Sequence, residues 1–198
     1  MRQELVSGRQ VSVVDTPGWM SHLPLDLTPK LTQLEIQQSV NLCPPGPHVF
    51  VLVVRLDKPY IGTGMSAEEH VRFLFSDTVW KHTIVVFTVA DKSKMRPDLI
   101  RSNSQLRYLT EKCEGRFHVL NISDRADGSQ VTELLQKVDQ MVTSNGHYET
   151  EEHVSEELKE MERSIRRRAE QRRADAQKQS TGLPKAAGMF SFTLRKNI

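Results

Sequence analysis

Four short runs, residues 11–14, 49–54, 84–87 and 117–122, are rich in β-branched residues and carry little polar alternation, and helical patterns separate them. A strand with one wet face alternates with period two. A strand covered on both faces does not, and parallel sheets are covered on both faces because their crossover helices lie on them. Such runs alternating with helices predict an α/β layered fold with a mainly parallel sheet and right-handed crossovers.

The helices are read from caps and spacing. Thr28 precedes Pro29 as an expected N-cap, and Leu27, Leu31 and Leu34 form a stripe for a helix reaching about Leu42. Ser66 and Glu69 form a capping-box pattern ahead of Val71, Phe73 and Leu74. A third helix is expected over 97–113. The fourth carries Val131, Leu134, Leu135, Val138, Met141 and Val142 on one face and stops at Asn145 and Gly146.

From 149 to 180 the residues turn almost wholly charged and polar, with Val154, Leu158, Met161 and Ile165 spaced four, three and four apart. That spacing predicts a thin amphipathic helix of coiled-coil type. Residues 181–198, containing TGLPKAAG, are expected to form a flexible tail. The 198 residues thus read as one domain over 1–148, then the helix and the tail. With 37% hydrophobic and 26% charged residues overall, the core must lie in the first three quarters.

A net charge of +2 is too weak to imply nucleic acid. Arg163, Arg166, Arg167, Arg168, Arg172 and Arg173 could touch an anionic membrane surface, but acidic residues over 151–162 make a self-compensating, solvated helix the stronger reading. Two cysteines without a CxxC pair, and no signal-peptide pattern, point to the cytoplasm. The histidines lack HxxxH spacing and no G-x-S-x-G occurs, so neither a zinc site nor a hydrolase triad is expected.

Open parallel sheets bind ligands beyond the carboxyl ends of their strands. There the chain places Asp15-Thr16-Pro17-Gly18, then Thr88-Val89-Ala90-Asp91, then Asn121 with Ser123 and Asp124. An aspartate ending a strand can hold a magnesium-bound water, and a nearby glycine lets a backbone N–H approach a phosphate. DTPG equally suits a simple turn. Asp91 could accept both guanine donors, N1 and N2, or serve as a helix cap.

DTPGW, followed by LTPKLTQLEIQQSVNLCPPGPHVFVLVVRLD, resembles the third G box and the family-specific box of the immunity-associated GTPases (GIMAP, or AIG-type). The similarity continues through AEEH, VWKHTIVVFT, the Asp91 position, EKCEGRFHVLN and DGSQVTELLQKVDQMV, over residues 8–148. The resemblance implies a three-layer, P-loop-NTPase-like G domain that takes GTP or GDP with Mg2+. Asp15 would serve magnesium through water, and Thr16, Pro17 and Gly18 the γ-phosphate and second switch. Thr88 and Asp91 would serve the base, and Asn121 with Ser123 the guanine-side loop. Val89 and Ala90 depart from the usual residues before the base-reading aspartate, and Ile122 replaces a second asparagine. KPYIGTGM over 58–65 replaces a short turn, so no arginine is assigned there.

No G-x-x-x-x-G-K-[ST] occurs, and DTPG begins at residue 15, so the domain is expected to be N-terminally truncated. The expected function is GTP binding with switching or self-assembly, as a homo-oligomer or family hetero-oligomer. Hydrolysis would be slow at most, because Trp19, Met20 and Ser21 follow Gly18 and no glutamine does. The alternative is a P-loop-less pseudo-GTPase acting as a protein interaction module, or a truncated product.

Overall fold

A computed structural model describes residues 1–18, 24–56, 64–91, 97–124, 126–149 and 156–181. The chain divides into two compact units, Met1–Lys159 and Glu160–Ile198. The first unit is mixed α/β. Its centre is a three-stranded parallel sheet, β3 (Phe50–Arg55), β4 (Thr83–Val89) and β5 (Phe117–Asn121), in that spatial order. Phe50 pairs with Thr83 and Val85 with Phe117, so all three strands end at the same edge.

β4 is buried along all seven residues, as its unalternating sequence predicts. β3 is different: Val51 and Val53 are 49% and 60% exposed, so one of its faces stays open. The expectation for residues 11–14 is corrected. They belong largely to β2 (Arg9–Val13), which pairs antiparallel with β1 (Arg2–Val6) in a separate two-stranded sheet. Val13 is 57% exposed. Ser7 and Gly8 link the two strands in left-handed conformations, φ 49° and 77°. A run of β-branched residues reports strand propensity, whereas its partner is a tertiary choice.

The core joins Val54, Val85 and Phe87 to Ala67, Val71, Leu106 and Leu109. These apolar residues come from α2 (Gly64–Leu74) and α4 (Ser104–Lys112), which form the layer on one face. α5 (Ser129–Asn145) lies on the other and packs against β5. At the opposite end of the strands, Arg116 donates to the Trp80 and Thr83 carbonyls at 2.7 and 3.2 Å. A Cβ on Gly46 would lie 1.9 Å from the Tyr148 carbonyl oxygen, so only glycine admits the chain passing there.

Several helix expectations need correction. α1 (Lys30–Gln38) has Pro29, not Thr28, as its N-cap, and a 3-10 turn carries it on to Leu42. Its buried face is Gln33, Leu34, Ile36 and Gln37, whereas Leu27 and Leu31 are 60% and 52% exposed. Of the expected stripe only Leu34 faces inward, beside Ile36 and two buried glutamines. Gln33 is tolerated inside because its Nε2 donates to the carbonyls of Leu25 and Thr28 at 3.0 and 2.8 Å.

Ser66 is inside α2 rather than at its cap, and its carbonyl bonds His70 Nδ1 at 2.7 Å. The expected third helix is two, α3 (Pro97–Ser102) and α4, because Asn103 leaves the helical conformation and its side chain accepts the N–H groups of Gln105 and Leu106. α5 ends at Gly146, φ 67°, as expected. Of its expected apolar face Met141 is fully buried, while Val131 is 39% exposed.

α6 (Glu156–Thr181) is a 26-residue helix with ion pairs along its length, Arg163 and Arg167 to Glu160 and Arg166 to Glu162. Ile165 is 40% exposed. Val154 and the side chain of Leu158, expected on its seam, lie outside the described residues, as do residues 19–23, 57–63, 150–155 and 182–198. No described helix is long and apolar enough to cross a membrane.

Candidate functional site

The carboxyl edge of the three-stranded sheet is built by backbone pairing that continues past the strands. Leu56 N–H donates to the Thr88 carbonyl and Ile122 N–H to the Val89 carbonyl, both at 2.9 Å. Arg55 stands opposite Thr88, and Val89 opposite Asn121. Thr88 itself is buried. Two residues after the last buried position of β4 the chain reaches Asp91, which is exposed. Its position follows from the burial of β4: the first carboxylate comes where the backbone emerges from between the two helical layers.

Asn121 ends β5 and is 6% exposed. Its side-chain oxygen accepts from Ser123 N–H at 3.2 Å and from Ser123 Oγ at 2.7 Å, an Asx turn that reverses the chain. Its own backbone N–H donates to Gln130 Oε1 at 2.7 Å. Beyond it, Asp124 accepts the Asp127 N–H at 3.2 Å, and Asp127 accepts the Ser129 N–H at 3.0 Å at the start of α5. Side-chain acceptors thus hold the loop in place of a ladder.

Thr88, Asp91, Asn121 and Ser123 are therefore brought to one edge. Asp15, Thr16, Pro17 and Gly18 are exposed and follow β2, on the sheet that is not hydrogen-bonded to the other. That hairpin is held to α5 by an Arg9–Asp139 ion pair and a 3.5 Å contact between the Ser7 and Thr132 hydroxyls. Space around Gly18 is open: an added Cβ would meet nothing within 4 Å. Trp19 to Ser21 and most of 58–65 lie outside the described residues.

Fit to a guanine nucleotide divides at this point. The base end offers a carboxylate at Asp91 and an amide at Asn121, which suit the guanine donors and acceptor. The phosphate end offers Asp15 and the backbone about Gly18, with no lysine of a phosphate-binding loop among the described residues. Asp15 could hold a magnesium-bound water, but no cluster of three or more metal-ligating side chains exists among the described residues.

Sequence reasoning missed three features near this edge. Gln130 carries no motif, and its signal is only a polar residue in the first turn after a polar loop. His70, fully buried, bonds Thr28 Oγ1 through Nε2 at 2.8 Å and so ties the segment after DTPG to α2. His118 is buried with Nε2 unpartnered, and burial holds its imidazole below the ordinary histidine range. Cys113, wholly buried, has its thiol pushed up to about 12 by burial and is chemically inert.

Comparison with known proteins accords with this arrangement. The human GTPase IMAP family member 8 is 29% identical over 143 residues, covering 70% of this chain and 21% of that protein. The Arabidopsis thaliana immune-associated nucleotide-binding protein 13 is 27% identical over 177 residues, covering 86% of this chain and 52% of that protein. The chain thus spans between about a fifth and a half of the length of these relatives. The AIG1 family model matches residues 1–170, and with most of the chain inside that match, the chain belongs to the AIG1 family.

Proposed function

We propose that the chain is a guanine-nucleotide-binding module that reads the base at the carboxyl ends of β4 and β5. Asp91 accepts from guanine N1–H and N2–H, with Thr88, Asn121 and Ser123 shaping the base side. Asp15 holds magnesium through water, and Thr16, Pro17 and Gly18 face the terminal phosphate. The observation that supports this most is the register: Val89 pairs with Asn121, so the segment leading to the exposed Asp91 and the Asn121 loop leave the sheet at the same edge. Names of the relatives, a GTPase and a nucleotide-binding protein, point the same way.

Nucleotide-dependent switching or self-assembly, alone or with other family members, belongs to the same proposal, as do slow hydrolysis and a cytoplasmic site of action. Titrating the 15N-labelled chain with GDP, GTP and ATP plus Mg2+ tests it. Guanine nucleotides should shift the resonances of residues 88–91 and 121–123, and ATP should not. No response to millimolar GDP would refute the reading.

A second reading is a nucleotide-free interaction module, favoured by the lack of any G-x-x-x-x-G-K-[ST] in these 198 residues. The unresponsive outcome of the same titration is what this reading expects.

A further inference from the structure

The first turn of α5 is wired to the end of β5: the Gln130 side chain accepts the Asn121 N–H at 2.7 Å. In the β4–β5 ladder Ile122 N–H points inward to Val89, so the Asn121 N–H points outward, where no further strand is paired among the described residues. Gln130 supplies the acceptor that a neighbouring strand would otherwise give, and without it a partly buried donor would be orphaned.

The consequence reaches the Asn121 side chain. Its oxygen is committed to Ser123 N–H and Oγ, so the amide nitrogen is the donor left over. An N–H2 donor beside a carboxylate matches the guanine edge, which presents the O6 acceptor next to the N1 and N2 donors. Adenine presents a donor where guanine has O6. Discrimination by such a pair requires both groups to be held, because a rotating amide offers oxygen and nitrogen alike.

We propose that Gln130 is a positioning residue for guanine selection: by fixing the Asn121 backbone, it sets the Asn121 amide donor beside Asp91. This rests on the guanine-binding reading above. Gln130 does not touch the base. It acts through Asn121, whose backbone N–H its side chain accepts.

The test compares the full chain with Gln130→Leu, which removes the acceptor at similar volume, and Gln130→Glu, which keeps an Oε acceptor. Affinities for GDP and ADP with Mg2+ are read by 15N shift titration, alongside amide exchange at Asn121 and thermal melting. Gln130→Leu should weaken GDP binding about three- to tenfold, the worth of one net hydrogen bond, and leave ADP unchanged. Gln130→Glu should restore the preference. Lower melting with an unchanged GDP-to-ADP ratio, or unmoved Asn121 resonances in Gln130→Leu, would overturn the proposal while sparing the guanine reading. Wild-type resonances at Asp91 and Asn121 that ignore GDP altogether would remove both.

Discussion

Asp91→Asn changes one atom of the base site and reverses its chemistry. The carboxylate offers two acceptors to two guanine donors, and each hydrogen bond to a charged group contributes about 1.5–3 kcal/mol. Asparagine keeps one acceptor and sets an N–H2 against the guanine N2–H2, so at least one bond is lost and a donor faces a donor. Asp91 is exposed, where water competes for the same groups, so the low end applies. A loss of about 1.5 kcal/mol is roughly tenfold in affinity. Xanthine carries an oxygen at position 2 in place of that amine, so the asparagine N–H2 regains a partner and xanthosine nucleotide should bind the variant better than GDP does. Competition titrations of GDP and XDP against wild type and Asp91→Asn, followed by 15N shifts, measure both effects. Unchanged GDP affinity, or no gain for XDP, would refute the assignment of Asp91 to the base.

A phosphate-binding loop supplies several backbone donors and a lysine, and losing even three charge-assisted bonds costs at least about 4.5 kcal/mol, or over a thousandfold. This 198-residue chain should therefore bind a fluorescent GTP analogue with Mg2+ no tighter than high micromolar, and sub-micromolar binding would contradict the argument. Asn103→Ala removes the side chain that caps α4 and should cost about 1 kcal/mol, lowering the melting temperature by about 2–4 °C; an unchanged melt would show that the cap is idle. Burial depresses the His118 imidazole, with Lys137 adding to the shift and Glu133 opposing it. The unfolded chain therefore takes up the proton first as pH falls. Stability is full above about pH 6.5 and declines below it, as the unfolded imidazole charges and then the folded one is forced to. Urea melts between pH 7.5 and 5 should show this slope reduced in His118→Phe, and equal slopes would place the pH dependence elsewhere.

Strands and their ends were legible wherever burial was total. β4 shows no alternation because both faces are covered, and that same feature located Asp91 where burial stops. Gly146 marked the end of α5 for a local reason, since few other residues take a φ of 67° without strain. Thr88, Asp91, Asn121 and Ser123 could be placed at the sheet's carboxyl edge from sequence because strand ends are local in sequence.

What the sequence could not carry is pairing. A run such as residues 11–14 favours extended backbone, but whether it joins the parallel sheet or β1 depends on contacts far along the chain, and here a two-residue turn through Ser7 and Gly8 made the antiparallel partner the near one. Buried Gln33 and His70 were invisible for a related reason: a polar side chain goes inside only when distant carbonyls or hydroxyls meet it, and Thr28 meets His70 across 42 residues. Gln130 was invisible in the same way. By itself, then, the sequence determined element type, the layered α/β class and the candidate base-side residues, because propensity, periodicity and strand-end chemistry are local. Only the tertiary structure decided that the hairpin stands apart from the parallel sheet and that Gln130 braces Asn121, because strand partners and buried hydrogen bonds join residues that only folding brings together.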